Sequence, residues 1–153
     1  MNRYKQRTVL TAVAALLPLV VACGGRTADS GAVAAPEPVT GVEWRVDSVT
    51  AGGTVHHTPA AASPRLRIDA DGKAAGNLGC NLFSARATVH GDRITFGDVR
   101  TTKMACDRAR TAFEQTLART LTAGPLTARV DDGKLTLTDG DGDAVHLSRG
   151  APE

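Results

Sequence analysis

The residues of this 153-residue chain best suited to chemistry are its three cysteines. Cys23 ends a short apolar run and precedes Gly24, Cys80 lies in Gly79-Cys80-Asn81, and Cys106 closes Thr102-Lys103-Met104-Ala105-Cys106. A thiol can be acylated, can pair in a disulfide, or can attack as a thiolate. Cys106 stands just before a predicted helix, where the macrodipole favours a thiolate. A bond from Cys80 to Cys106 would close a loop of 27 residues. That differs from the Cys-x-x-Cys spacing and βαβ setting of thioredoxin-like oxidoreductases. On residue types alone, a structural bridge, a redox pair and two buried reduced thiols all stay open.

The other candidates are weaker. His56 and His57 are adjacent, so in a strand they would point to opposite faces, and Gly52, Gly53 and Pro59 around them predict a loop. His90 and His146 stand alone, without the spacing zinc requires. In Asp139-Gly140-Asp141-Gly142-Asp143 the sixth and twelfth positions of a calcium loop would be Ala144 and Gly150, so a hairpin tip is expected. Ser63 and Ser84 have no nucleophile elbow, and Gly76-x-x-Gly79 lacks the Lys-Ser/Thr of a phosphate loop. Thr101, Thr102, Lys103, Arg108 and Arg110 could hold an anion at a helix start, although ordinary surface solvation is the simpler reading. No catalytic residue, metal or cofactor is predicted.

The elements that would position these residues are read from periodicity. Val42, Trp44 and Val46 alternate with Glu43, Arg45 and Asp47, the pattern of a half-buried strand. Leu66 and Ile68 repeat it, and Asp71-Gly72 turns the chain into residues 73–78. Further strands are expected over 85–89 and 93–96, then around Leu126, Ala128 and Val130, Leu135 and Leu137, and Val145 and Leu147. One helix is predicted over 107–122, with Ala109, Phe113, Leu117 and Leu121 on one stripe and Gly124-Pro125 as its stop. The expected fold is therefore a single α+β domain, a curved antiparallel sheet or partial barrel of about seven or eight strands packed on one helix.

The N-terminus carries an address. Arg3, Lys5 and Arg7 precede an apolar stretch from Val9 to Ala22 of about 14 residues, too short to span a bilayer as a helix. With Val20-Val21-Ala22 before Cys23, it resembles a bacterial lipobox, which implies cleavage after residue 22 and a diacylglyceryl thioether on Cys23. Two acyl chains would hold the protein firmly at the membrane. Residues 23–40, rich in Gly, Ala, Ser and Thr, are expected to be a tether, with the domain over 41–149 and a tail over 150–153. Cleavage would remove three of the 18 basic residues and none of the 16 acidic ones, leaving a charge of −1. That gives no electrostatic case for nucleic acid.

Gly79-Cys80-Asn81 followed by Phe83, together with Thr102-Lys103-Met104-Ala105-Cys106 before the helix, resembles the META domain, the family of the HslJ heat-shock lipoprotein. The resemblance covers about residues 41–149. Trp44, the strand with Ile94 and Phe96, and the closing hairpin from Leu135 to Leu147 fit the same layout. It implies a cell-envelope protein linked to stress, without an established reaction, and a matched pair at Cys80 and Cys106. Family motif positions carried over are Gly79, Cys80, Asn81, Thr102, Met104, Ala105 and Cys106.

Export would place Cys80 and Cys106 in an oxidising compartment with Cys23 occupied by lipid, which favours joining them. The expected function is a lipid-anchored, non-enzymatic module at the extracytoplasmic face of the cell membrane, binding an envelope protein or small ligand. The alternative is a thiol-disulfide protein using Cys80 and Cys106. A weaker one is an inhibitor-like module, needing an exposed rigid loop near residues 77–83.

Overall fold

The computed structural model describes residues 38–150, all within one compact unit, Ala34–Glu153. The segment read as a signal peptide, Cys23, most of the stretch read as a tether and the last three residues lie outside the described residues. The chain order is β1 (Glu43–Ala51), β2 (Thr54–His57), β3 (Arg65–Ile68), β4 (Lys73–Asn77), β5 (Leu82–His90), β6 (Arg93–Thr101), α1 (Arg108–Thr122), β7 (Leu126–Asp131), β8 (Lys134–Thr138) and β9 (Ala144–Arg149).

Alternation sets which side chains enter the core, and a bulge resets it where the pattern breaks. In β1, Trp44 and Val46 are buried, then Val49. The three-residue step arises because Val46 pairs with Leu147 and Ser48 with His146, leaving Asp47 as an extra residue. A second bulge lies in β6: Ser84 faces Arg100 while Arg86 faces Gly97, and Asp98 takes the left-handed region at φ 50°.

All neighbours are antiparallel. Strands β1, β3, β4, β5, β6, β7, β8 and β9 pair in that order, and β9 returns to β1, closing an eight-stranded barrel. The single α+β domain is as expected, but the sheet, expected as a curved sheet or partial barrel, is closed. The reason is that β1 and β9 meet across roughly the whole domain, and inward-outward periodicity carries no information about such a partner. Along its other edge β1 pairs with β3 through Glu43, Trp44 and Arg45, and with β2 through Ser48 to Ala51. Strand β2 is thus a ninth strand outside the barrel.

His56 and His57, expected in a loop, lie on β2 opposite Val49 and Ser48 and are exposed. Gly52 and Gly53, both at positive φ (56° and 76°), turn the chain back in a tight hairpin instead of opening a loop. Strands β5 and β6 also run beyond the expected 85–89 and 93–96. The β6 extension, 97–101, is exposed throughout and offers no alternation, whereas the β5 extension buries Phe83 between exposed Leu82 and Ser84.

Helix α1 buries Phe113, Leu117 and Leu121 into this core, roughly 1.5–3 kcal/mol for each large side chain. Ala109, on the expected stripe, is exposed because the helix begins to bury residues only one turn later. Trp44 is fully buried, and its indole N–H donates to the Val39 carbonyl at 2.9 Å. Val39, read from the sequence as tether, packs against the core.

Candidate functional site

The two cysteine motifs meet at one corner. Residues 78–81 form a tight reversal between β4 and β5, in which the Leu78 N–H donates to the Asn81 carbonyl at 2.9 Å and the Gly79 N–H to Asn77 Oδ1 at 2.6 Å. Gly79 sits at φ 118°, where a side chain would be strained. The reversal points the successive N–H groups of Cys80 and Asn81 at Glu114 Oε2, at 3.1 and 2.5 Å, an anion-holding nest filled by the protein's own carboxylate. The Asn81 amide donates to Glu114 Oε1 at 2.7 Å.

Asn81 is buried at 7 % exposure, and its carbonyl oxygen works in the opposite direction. It accepts from the Thr102 hydroxyl at 2.9 Å and the Met104 N–H at 2.6 Å. The Thr102 hydroxyl accepts from Leu82 N–H at 3.1 Å. Cys80 and Cys106 form a disulfide with Cα atoms 6.0 Å apart, and the Met104 carbonyl lies 3.5 Å from the Cys80 sulfur. One side chain, Asn81, therefore ties together the β4–β5 corner, the segment after β6 and, through Glu114, the helix.

Each sequence-derived motif residue has a place here. Gly79 makes the turn, Cys80 and Cys106 the bridge, Asn81 the hub and Thr102 its clasp. Met104 contributes its backbone N–H while its side chain is 63 % exposed, and Ala105 is exposed beside it. Glu114 was not among the sequence candidates. An acidic residue beside Phe113 at the border of an apolar stripe is indistinguishable in sequence from any solvated helix residue.

Three other expectations are corrected or located. The exposed loop near 77–83 that an inhibitor-like module would need is not found: Leu78, Gly79, Cys80, Asn81 and Phe83 are buried and Leu82 alone is exposed, because the reversal is covered by Phe113 and Glu114. Of the residues considered for an anion site, Thr102 is engaged by Asn81 and Arg110 by Asp107, whose carboxylate accepts from Arg110 Nε at 2.5 Å. At the 139–143 tip, Asp139 Oδ1 accepts from the N–H groups of Asp141 and Asp143, both at 2.9 Å, and Asp143 Oδ1 accepts from Gly52 N–H at 2.8 Å. Those two aspartates hold turns, as hairpin geometry requires. Among the described residues there is no group of three or more His, Cys, Asp or Glu that could hold a metal ion.

The model of one protein family, described as the META domain, matches residues 37–152. The chain belongs to the META domain family. Its matched span takes in the whole barrel, α1 and the corner built on Asn81. Two solved structures share the fold. One, an NMR structure of a protein from Burkholderia xenovorans, has a TM-score of 0.63 at 21% identity, covering 77% of this chain and 93% of that one. Another NMR structure has a TM-score of 0.57 at 17% identity, covering 74% and 93%. No curated protein matches the chain.

Asp107 caps α1 of this META domain. Its Oδ1 accepts from Arg110 N–H at 3.0 Å, and this bond with the Arg110 guanidinium holds its carboxyl below the ordinary value of 3.8. A lowered pKa in the folded state means that the stabilisation is present above pH 3.8 and fades as the pH falls through the folded value. Asp107→Ala is therefore expected to lower the melting temperature slightly at pH 7, with the difference from wild type shrinking below about pH 3.8. Thermal melts from pH 2 to pH 7 check this; a pH-independent difference would contradict the capping account.

Proposed function

We propose that this META domain protein is a lipid-anchored, non-enzymatic component of the bacterial cell envelope, a stress-related module that binds an envelope protein or small ligand. The single observation that carries the reading is the Asn81 corner. The family motif residues are engaged with one another there: Asn81 has both ends of its amide bonded, Glu114 accepts three hydrogen bonds, and the two sulfurs are joined. Such a corner stabilises and orients a surface, and its polar groups are already paired within the chain. Surface presentation, not turnover, is what that arrangement supports.

The anchor rests on the Arg3, Lys5 and Arg7 leader, the apolar run and Cys23. Its test is metabolic labelling with an alkynyl fatty acid, followed by membrane fractionation. Wild type is expected to carry label and sediment with membranes, and Cys23→Ala to do neither. Unlabelled wild-type protein in the soluble fraction would remove the anchored reading.

A further inference from the structure

Between β6 and α1 the chain runs without helix or turn, and residues 101–105 are all exposed. Its backbone bonds alternate. Thr102 N–H donates to the Leu82 carbonyl at 3.0 Å and Met104 N–H to Asn81 Oδ1 at 2.6 Å, so these two residues turn their N–H groups towards the fold. Lys103 and Ala105 have no backbone hydrogen bond among the described residues. Thr101 faces Phe83 beside the bonded Leu82 and Thr102 pair, which in an antiparallel ladder turns its N–H and C=O outward. Strand β7 pairs with β6 only at Arg93 and Ile94, so this edge is open further on. The result is an extended strip with a free edge, an exposed unpaired Lys103, and both flanks held from behind.

We propose that residues 101–105 are a substrate-like inhibitory strip for a serine endopeptidase specific for Lys or Arg, presenting the Lys103–Met104 peptide bond. The inference deepens the interaction-module reading and rests on it. Thr101 and Lys103 offer the outward N–H and C=O groups that an extended-substrate cleft pairs with as an added strand, and the Lys103 ammonium suits an acidic primary pocket. Exposed Leu82 (52 %) and Met104 (63 %) supply apolar area around it.

The chemistry is reversible because neither product leaves. The enzyme's serine oxygen adds to the Lys103 carbonyl carbon, the serine proton passes through the enzyme's histidine to the Met104 nitrogen, and the Lys103–Met104 C–N bond breaks. This yields a Lys103 ester and a Met104 amine. Thr102 keeps the ester side on β5, while Asn81 Oδ1 and the Cys80–Cys106 bridge keep the amine in place. The amine attacks the ester, the peptide bond reforms and the proton returns to the serine. An effectively intramolecular reaction of this kind outruns hydrolysis by water, and a strip already ordered before binding loses little entropy on docking.

The test uses the full chain and trypsin, read with a chromogenic substrate. Wild type is expected to inhibit near equimolar ratio, Lys103→Ala to weaken inhibition about 100-fold or more, and Lys103→Leu to transfer it to chymotrypsin. Lys103 is exposed and has no side-chain hydrogen bond or ion pair among the described residues, so both variants are expected to fold, which a thermal melt checks. Cys80→Ser with Cys106→Ser is expected to convert the chain into a substrate cut after Lys103. Absence of trypsin inhibition, complete cleavage of the wild-type chain, or inhibition unchanged by Lys103→Ala each overturns the proposal. Photocross-linking from position 103 and from Val55 on β2 in cells separates the two readings: capture from Val55 alone, with trypsin unaffected, removes the strip and leaves the interaction module, whereas capture from neither removes both.

Discussion

Glu114→Ala is expected to destabilise the domain by about 3 kcal/mol, a large loss for a single polar substitution. The carboxylate accepts the backbone N–H groups of Cys80 and Asn81 and the Asn81 amide. Losing it strands three donors in a corner where Asn81 is buried, and each stranded donor costs about 1–3 kcal/mol, reduced here because Glu114 is only half-buried and water can enter. Glu114→Gln keeps one acceptor oxygen and should cost roughly half as much.

Asn81→Ala should cost about the same as Glu114→Ala, since it also frees Thr102 and Met104. Because the two side chains share bonds, the double variant should fall short of the sum by about 1–2 kcal/mol. Urea unfolding of the four proteins measures this. Strict additivity, or a Glu114→Ala loss below about 1 kcal/mol, would show that Glu114 is not the keystone of the corner.

Opening the Cys80–Cys106 bridge is expected to cost about 3–4 kcal/mol and to require strongly reducing conditions. The cysteines are 26 positions apart, and closing a loop of that size removes about this much chain-entropy freedom from the unfolded state. Cys80 is 8 % exposed, which limits access of an attacking thiolate. Equilibration in glutathione buffers with thiol trapping should place the reduction potential below about −300 mV, where structural bonds fall. A value near about −200 mV would move the thiol-disulfide reading ahead of the structural one. If Cys80→Ser with Cys106→Ser unfolds as late in urea as wild type, the bridge contributes nothing.

These two devices act on the same short stretch. Asn81 holds Met104 from behind and the disulfide holds Cys106 two residues later, so an exposed strip is kept extended without a ladder partner on its outer side. Stability at the corner and order in the strip are thus coupled. Variants that loosen Asn81 or Glu114 should disorder residues 103–105 before they unfold the barrel, because the β5–β6 ladder ends at Thr101 and the Thr102 N–H bond to Leu82, ahead of that segment.

Much of this was legible from residue order. Period-two alternation marked the inward faces of β1, β3, β7, β8 and β9, and period-four spacing with Gly124-Pro125 after it marked α1 to within a residue, Asp107 proving to be its cap and not its first turn. Both signals are local, since a side chain's burial repeats with the geometry of its own strand or helix. The Gly79-Cys80-Asn81 and Thr102 to Cys106 motifs likewise pointed to the family before any geometry was known.

Closure of the barrel, the role of Glu114 and the exposure of the Lys103 strip were decided only in three dimensions. The β1–β9 ladder joins residues about a hundred positions apart, and no local period encodes a pairing partner at that distance. Glu114 lies 33 residues from Asn81, and its carboxylate becomes a keystone only because the reversal at 78–81 turns two N–H groups towards the helix. The exposure that an inhibitor-like module would need at 77–83 is found at 101–105 for the same reason: helix α1 covers one motif and leaves most of the other facing solvent, a choice made by packing across the fold and not by either motif's own residues.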